Sequence, residues 1–143
     1  MKGTNQAIYN LLKVNEELLA MLGSNTPIIG TGTASTANSI VPSDLVNKKL
    51  NTPYITIQEG NENKSGGHTM NQSFFIRCYN DDSKGYIEIN EILDKIREIL
   101  NGSELTLEDR RFIEINFESR LPGLREETMQ QKFKEERYRV KVL

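Results

Sequence analysis

The sequence predicts an α+β fold in which two helices pack on one face of a mostly antiparallel sheet. Three observations predict it. Two stretches place apolar residues at helical spacing, and four others alternate apolar and polar residues with β-branched and aromatic content. The elements follow in the order α-β-β-α-β-β, so each pair of strands can close as a long, extended hairpin. At 143 residues the chain reads as one domain, 1–143, large enough for a single core.

The first helix spans Thr4 to Leu22, where Ile8, Leu11, Leu12, Leu18, Leu19 and Leu22 form a stripe broken only by polar Asn15. Gly23 follows as an αL cap. A flexible connector covers about 24–40 and contains PIIGTGTASTANS at 27–39. Glycine-rich turns bind phosphate when they open a helix, yet Gly30 and Gly32 have no third glycine at dinucleotide spacing, no Gly-Lys-Ser/Thr run, and no amphipathic helix behind them. The stretch carries too little apolar surface to fold by itself. Val41-Pro42-Ser43-Asp44 reads as a turn that opens a short helix through Lys49.

Pro53 to Glu59 (PYITIQE) is a strand with its proline at the entry. Asn61 to Thr69 is a polar Gly-Gly loop, and Met70 to Tyr79 is the return strand, with Phe74, Ile76 and Cys78 on one face. Asn80 to Ser83 offer N-caps to a second helix whose stripe is Tyr86, Ile89, Ile92, Leu93, Ile96, Ile99 and Leu100, ended by Asn101-Gly102. Arg111–Ser119 and Arg137–Val142 alternate in the same way. Set antiparallel with Ile113 opposite Val142, they also bring Ile115 to Val140, Phe117 to Tyr138, Glu114 to Lys141 and Glu118 to Arg137. Leu121–Phe133 between them is too polar for a core and reads as a hairpin reaching beyond the body.

Chemistry has little to work with. Cys78 is the only cysteine, which excludes an intramolecular disulfide, and FFIRCY reads as a strand interior. His68 is the only histidine and sits in a Gly-Gly-His-Thr loop without a neighbouring nucleophile. Asp81-Asp82, Glu126-Glu127 and Glu135-Glu136 are adjacent pairs, and neighbours in a strand point to opposite faces. No catalytic residue, metal site or cofactor is expected. The net charge of −2, and the acids interleaved with Arg110-Arg111, Arg120, Arg125 and Arg137-Tyr138-Arg139, give no single-sign stripe for nucleic acid. The opening Met1-Lys2-Gly3-Thr4 leads into an amphipathic stretch rather than a signal peptide, and no apolar run is long enough to cross a bilayer. A protein made and kept in the cytoplasm, or in something assembled there, is the expectation.

With these elements in place, the chain resembles the tail terminator, or tail completion, proteins of tailed bacteriophages and phage-derived particles. The similar stretches are the helix ending near MLGSN, LNTPYITIQEG, QSFFIRCY, YIEINEILDKIREILNG, RRFIEINFESR and ERYRVKVL, which span nearly the whole chain. Thr31 to Ser39 matches no family motif. The resemblance implies a non-enzymatic ring, commonly a hexamer, at the head-proximal end of the tail tube. Such a ring ends tube growth and meets a neck or head-completion protein. It implies a virion location at the tail–neck junction, assembly in the host cytoplasm, and a lumen through which DNA can pass without sequence-specific binding.

The two hairpin tips are then the expected contacts with neighbouring subunits or the tail tube. Their residues are Asn61, Glu62, Lys64 and His68 in the first, and Arg120, Arg125, Glu126, Glu127, Gln130, Lys132 and Lys134 in or beside the second. The alternative from another class is a small nucleic-acid-associated module using the C-terminal arginines. An enzyme with His68 as general base is a distant third.

Overall fold

The computed structural model describes residues 4–22, 40–42, 53–65, 69–107, 110–127 and 130–143. The chain begins with α1 (Thr4–Lys13) and α2 (Glu16–Met21) where the stripe predicts one helix. Asn15 is the reason. Its backbone is extended, and its Oδ1 accepts from the Leu18 N–H at 2.9 Å, so it caps a new helix instead of continuing the old one. Ile8, Leu12, Leu18, Leu19 and Leu22 are all buried.

The sheet has seven strands among the described residues, ordered β1-β2-β3-β7-β5-β4 with β6 also paired to β7. β1 (Ile40–Pro42) runs parallel to β2 (Tyr54–Ser65), and every other pairing is antiparallel. The turn expected at Val41-Pro42 is therefore a strand. The rest of the 24–40 connector and the short helix expected through Lys49 lie outside the described residues.

β2 and β3 (Thr69–Asp81) stay paired out to Ser65 and Thr69. The loop expected over 61–69 is thus mostly strand: ladder hydrogen bonds come from the backbone and need no apolar side chains. A bulge between Glu59 and Glu62 lets Gly60 lie against Phe75, where an added Cβ would be 3.0 Å from the ring and from the Ser73 carbonyl.

α3 (Ile87–Leu100) follows, with Ile89, Ile92, Leu93, Ile96 and Leu100 buried. None of the expected side-chain N-caps is used. Asp81 Oδ1 instead accepts from the N–H and hydroxyl of Ser83, and Tyr86 occupies the cap position. β4 (Glu104–Thr106) then pairs with the start of β5 (Phe112–Arg120).

β5 and β7 (Gln131–Val142) meet in the register the sequence predicts from Ile113 to Phe117. A bulge after Phe117 shifts the rest, so Arg137 opposes Ser119 and not Glu118, while Glu118 forms its ion pair with Arg139. The Leu121–Phe133 connection is also different from the expectation. β6 (Leu124–Glu126) folds back on Gln131–Phe133, and that same stretch of β7 pairs with β3. Gln131 and Phe133 are buried, so this segment belongs to the body of the molecule. The observed order is α-α-β-β-β-α-β-β-β-β rather than α-β-β-α-β-β, and each added strand is three residues long, too short to show a period.

Alternate strand positions build the core. Ile55, Ile57, Phe74, Ile76, Cys78, Ile113, Ile115, Tyr138 and Val140 join the apolar residues of the three helices in one cluster. The opposite face carries a second, smaller row. Tyr54, Tyr79 and Phe133 stand opposite one another across β2, β3 and β7, with successive ring centroids 4.9 Å apart. The Tyr54 hydroxyl donates to Gln131 Oε1 at 2.8 Å, which fastens the start of β7.

Candidate functional site

No group of three or more metal-ligating side chains occurs among the described residues. Cys78 is fully buried, and burial first, then the Glu88 charge, pushes its thiol far above the usual range. This is the reverse of a reactive cysteine. A groove of about 330 Å³ between α1 and β4 is lined by Gln6, Ala7, Asn10, Leu11, Val14, Leu105 and Thr106, which include no acid, base or nucleophile fit for catalysis. His68 lies outside the described residues.

What the structure does assemble is a corner where the end of β3, the start of α3 and the β6–β7 hairpin meet. Tyr86 is its centre. The ring lies directly over Gly123, where an added Cβ would be 2.5 Å from Cζ, so the Pro-Gly turn leaves room for an aromatic ring. The Tyr86 hydroxyl donates to the Leu124 carbonyl at 3.4 Å. Lys132 and Lys134, at i and i+2 of β7, hold their ammonium groups 5.5 and 5.3 Å from the ring centroid. At such sites each contact contributes about 0.5–1 kcal/mol.

Polar side chains fix the rest of the corner. Lys134 donates to Asn90 Oδ1 at 2.8 Å, and Arg125 donates from Nε to Asp82 Oδ2 at 2.8 Å. The hydrogen bond to Asp82 raises the Arg125 guanidinium above its ordinary value. The Gln130 carbonyl accepts from the Asp82 N–H at 3.0 Å, with Gln130 in the left-handed region at φ 53°. Two large apolar side chains stand open here, Ile87 at 76% and Leu124 at 48% exposure.

The predicted residues therefore divide. Arg125, Glu127, Gln130, Lys132 and Lys134 come together at the corner, as does the backbone of Glu126 opposite Gln131. Asn61, Glu62 and Lys64 sit on β2 near its pairing with Thr69 and Met70, at the other end of β3. Thirteen residues of strand separate the two ends, about 40 Å at ordinary rise. Tyr86 and Gly123 are functional candidates that sequence reasoning missed: the helical stripe reads Tyr86 as a core residue, and the ring does pack partly buried against the core, but its place over Gly123 is not visible in the stripe. The LPG turn was the one local signal.

Arg120 has a different place. It binds Glu136 Oε1 from Nε at 2.7 Å and Asp94 from Nη2 at 2.6 Å. Burial lowers its affinity for the proton, but these hydrogen bonds outweigh that and raise it overall. Glu136 is completely buried and also accepts from the Tyr138 hydroxyl at 2.6 Å. On the sheet face opposite the helices, Glu135 takes Arg77 at 2.9 Å and Arg137 at 3.4 Å, while Arg139 pairs with Glu118. The arginines that a nucleic-acid module would use are thus largely engaged with carboxylates of the same chain.

The fold is similar to that of a chain in the virion of a native gene transfer agent particle, with a TM-score of 0.68, 17% identity, 97% of this chain covered and 93% of that one. No curated protein sequence matches closely enough to count as a relative. The sequence model of the family described as tail completion protein gp17 matches residues 6–130. The chain belongs to the tail completion protein gp17 family, and so it is a structural protein of the phage virion, located at the tail.

Proposed function

We propose that the chain forms a ring, a homo-hexamer, on the head-proximal end of the tail tube, where it ends tube growth and joins the tail to a neck or head-completion protein. The role is architectural and not enzymatic. Family membership over residues 6–130 is the observation that carries this reading. One feature of the molecule supports it. Both ends of the sheet expose apolar side chains: Ile87 and Leu124 at one, Phe112 and Leu143 at the other. A subunit placed between a tube below and a neck above needs contacts at both ends.

In this reading Asn61, Glu62, Lys64 and His68 make one contact, and the corner bearing Arg125, Glu126, Glu127, Gln130, Lys132 and Lys134 makes another; the distance along β3 between Asn61, Glu62 and Lys64 and the corner supports two contacts. DNA passes through the ring without sequence-specific recognition, no membrane takes part, and assembly happens in the host cytoplasm. The test is electron microscopy of tails made with and without the protein. Tails of uniform length bearing an extra ring at one end are expected with it, and overlong tubes without it. Tubes of unchanged length and bare ends in its presence would overturn the proposal.

A further inference from the structure

We infer that the Tyr86 corner of one subunit docks on the acidic outer face of the helices of the next, so that the ring closes through a head-to-tail contact between two different surfaces of the same chain. The inference rests on the ring reading above and names its interface. One surface is the corner itself: a half-buried tyrosine flanked by the exposed apolar Ile87 and Leu124 and rimmed by cations. An aromatic anchor with apolar neighbours and a charged rim is the composition of an interface centre. Among the described residues, neither the Lys132 nor the Lys134 ammonium has a carboxylate partner; both lie over the Tyr86 ring, and Lys134 meets only a neutral amide. Lys84, beside them in the turn before α3, is exposed. The acids nearby are tied or peripheral, since Asp82 holds Arg125, Glu88 accepts from Asn80 at 3.1 Å, and Glu127 stands in the turn beyond β6.

The complement is on α2 and α3. Glu16, Glu17, Glu91, Asp94 and Glu98 are all exposed. Lys95 is the only lysine of these two helices, and it serves both Glu17 and Glu98. Glu91 and Glu98 are two turns apart on one side of α3, with no cation of their own for Glu91 among the described residues. Asp94 is shared with Arg120, so Glu16 and Glu91 are the acids of this face without a cation among the described residues. The cationic corner and the anionic face adjoin along α3, where Ile87 and Glu91 are one turn apart. A corner on one copy seated against the acidic face of the next is a heterologous contact, which makes a ring when its rotation closes, whereas an isologous contact would stop at a dimer.

Charge reversal tests it by sedimentation of the full chain and by its capture on tail tubes. Lys132→Glu with Lys134→Glu, and separately Glu91→Lys with Glu98→Lys, should each weaken ring formation roughly a hundredfold or more. The four changes together should restore rings, a rescue that mere destabilisation cannot produce. Ile87→Asp should also block assembly while melting close to the wild type, because Ile87 is 76% exposed at the first position of α3. Rings that form normally in either two-site variant overturn this contact and leave the ring reading standing. So does a four-site variant that melts normally but stays monomeric, or a corner variant that forms rings and fails only on tubes. A wild-type chain that remains monomeric on tubes overturns the ring reading, and this contact with it.

Discussion

A methyl group on Gly123 would sit 2.5 Å from Cζ of Tyr86 and 2.8 Å from its hydroxyl oxygen, closer than any relaxed contact allows. The ring cannot yield without leaving the two lysines and the Leu124 carbonyl. Gly123→Ala should therefore destabilise the fold by about 1–3 kcal/mol in urea melts, as overpacking does. The loss should shrink when Tyr86→Ala is added, since the two residues share one space. Equal losses in the single and double variants would show that the strain lies in the turn's backbone. A core position behaves differently. Ile96 has no exposure and lies in the cluster that includes Ile113, Ile115 and Val140, so Ile96→Ala should cost about 2–5 kcal/mol by lost transfer energy and an unfilled cavity. A change below about 0.5 kcal/mol would mean the helix slides to refill the space.

Among the elements, the first helical pair depends on one side chain. Asn15→Ala removes the acceptor for the Leu18 N–H and should cost about 1 kcal/mol, with faster hydrogen exchange at Leu18 as the site-specific sign. If α1 and α2 instead fuse into one straight helix, exchange at Leu18 will slow. The polar break at Asn15 was visible in the sequence; what the stripe concealed was that polarity there means a restart. The β5–β7 register was legible because each face carries its own signal, apolar pairs on one side and Glu114 against Lys141 on the other. Burial of the start of β7 was not legible. Gln131 is buried by Tyr54, 77 residues earlier, and Phe133 by Tyr79, and no local pattern encodes such partners. Replacing all of Leu121–Phe133 with a tight turn would therefore remove part of the body. Replacing only the segment 127–130 with Asn-Gly keeps Leu124 opposite Phe133 and Glu126 opposite Gln131. That variant should stay folded, weaker by about 1 kcal/mol for the lost Asp82 to Gln130 hydrogen bond. A monomer that no longer melts cooperatively would show that the turn itself holds the hairpin. At the corner, the charged rim was readable from polarity, whereas the stacking of Tyr86 on Gly123 depends on the fold.

For the molecule as a whole, the helices meet the sheet mainly through apolar residues, and one buried ionic cluster interrupts that contact. Glu136, with no exposure, takes Arg120 from β5, Arg97 from α3 at 3.4 Å and the Tyr138 hydroxyl from its own strand. The Arg97 guanidinium carbon rests 3.6 Å from the Phe117 ring centroid, and its Nε has no hydrogen-bond partner among the described residues. Arg120 reaches on to Asp94 of α3, so the cluster ties that helix to β5 and β7. Such a pair adds little net stability compared with a well-packed apolar replacement, but removing one charge strands the others. Glu136→Gln keeps the shape and leaves two guanidinium groups facing a neutral amide. Because both arginines retain some access to water, the loss belongs at the lower end of the range, about 3 kcal/mol. Tyr138→Phe, which removes one hydrogen bond and no charge, should cost about 1 kcal/mol. Urea melts of the two variants give the comparison, and hydrogen exchange should show α3 loosening in Glu136→Gln while the β2–β3 ladder stays protected. If Glu136→Gln costs no more than Tyr138→Phe, the charges are incidental and the apolar stripe of α3 alone docks the helix.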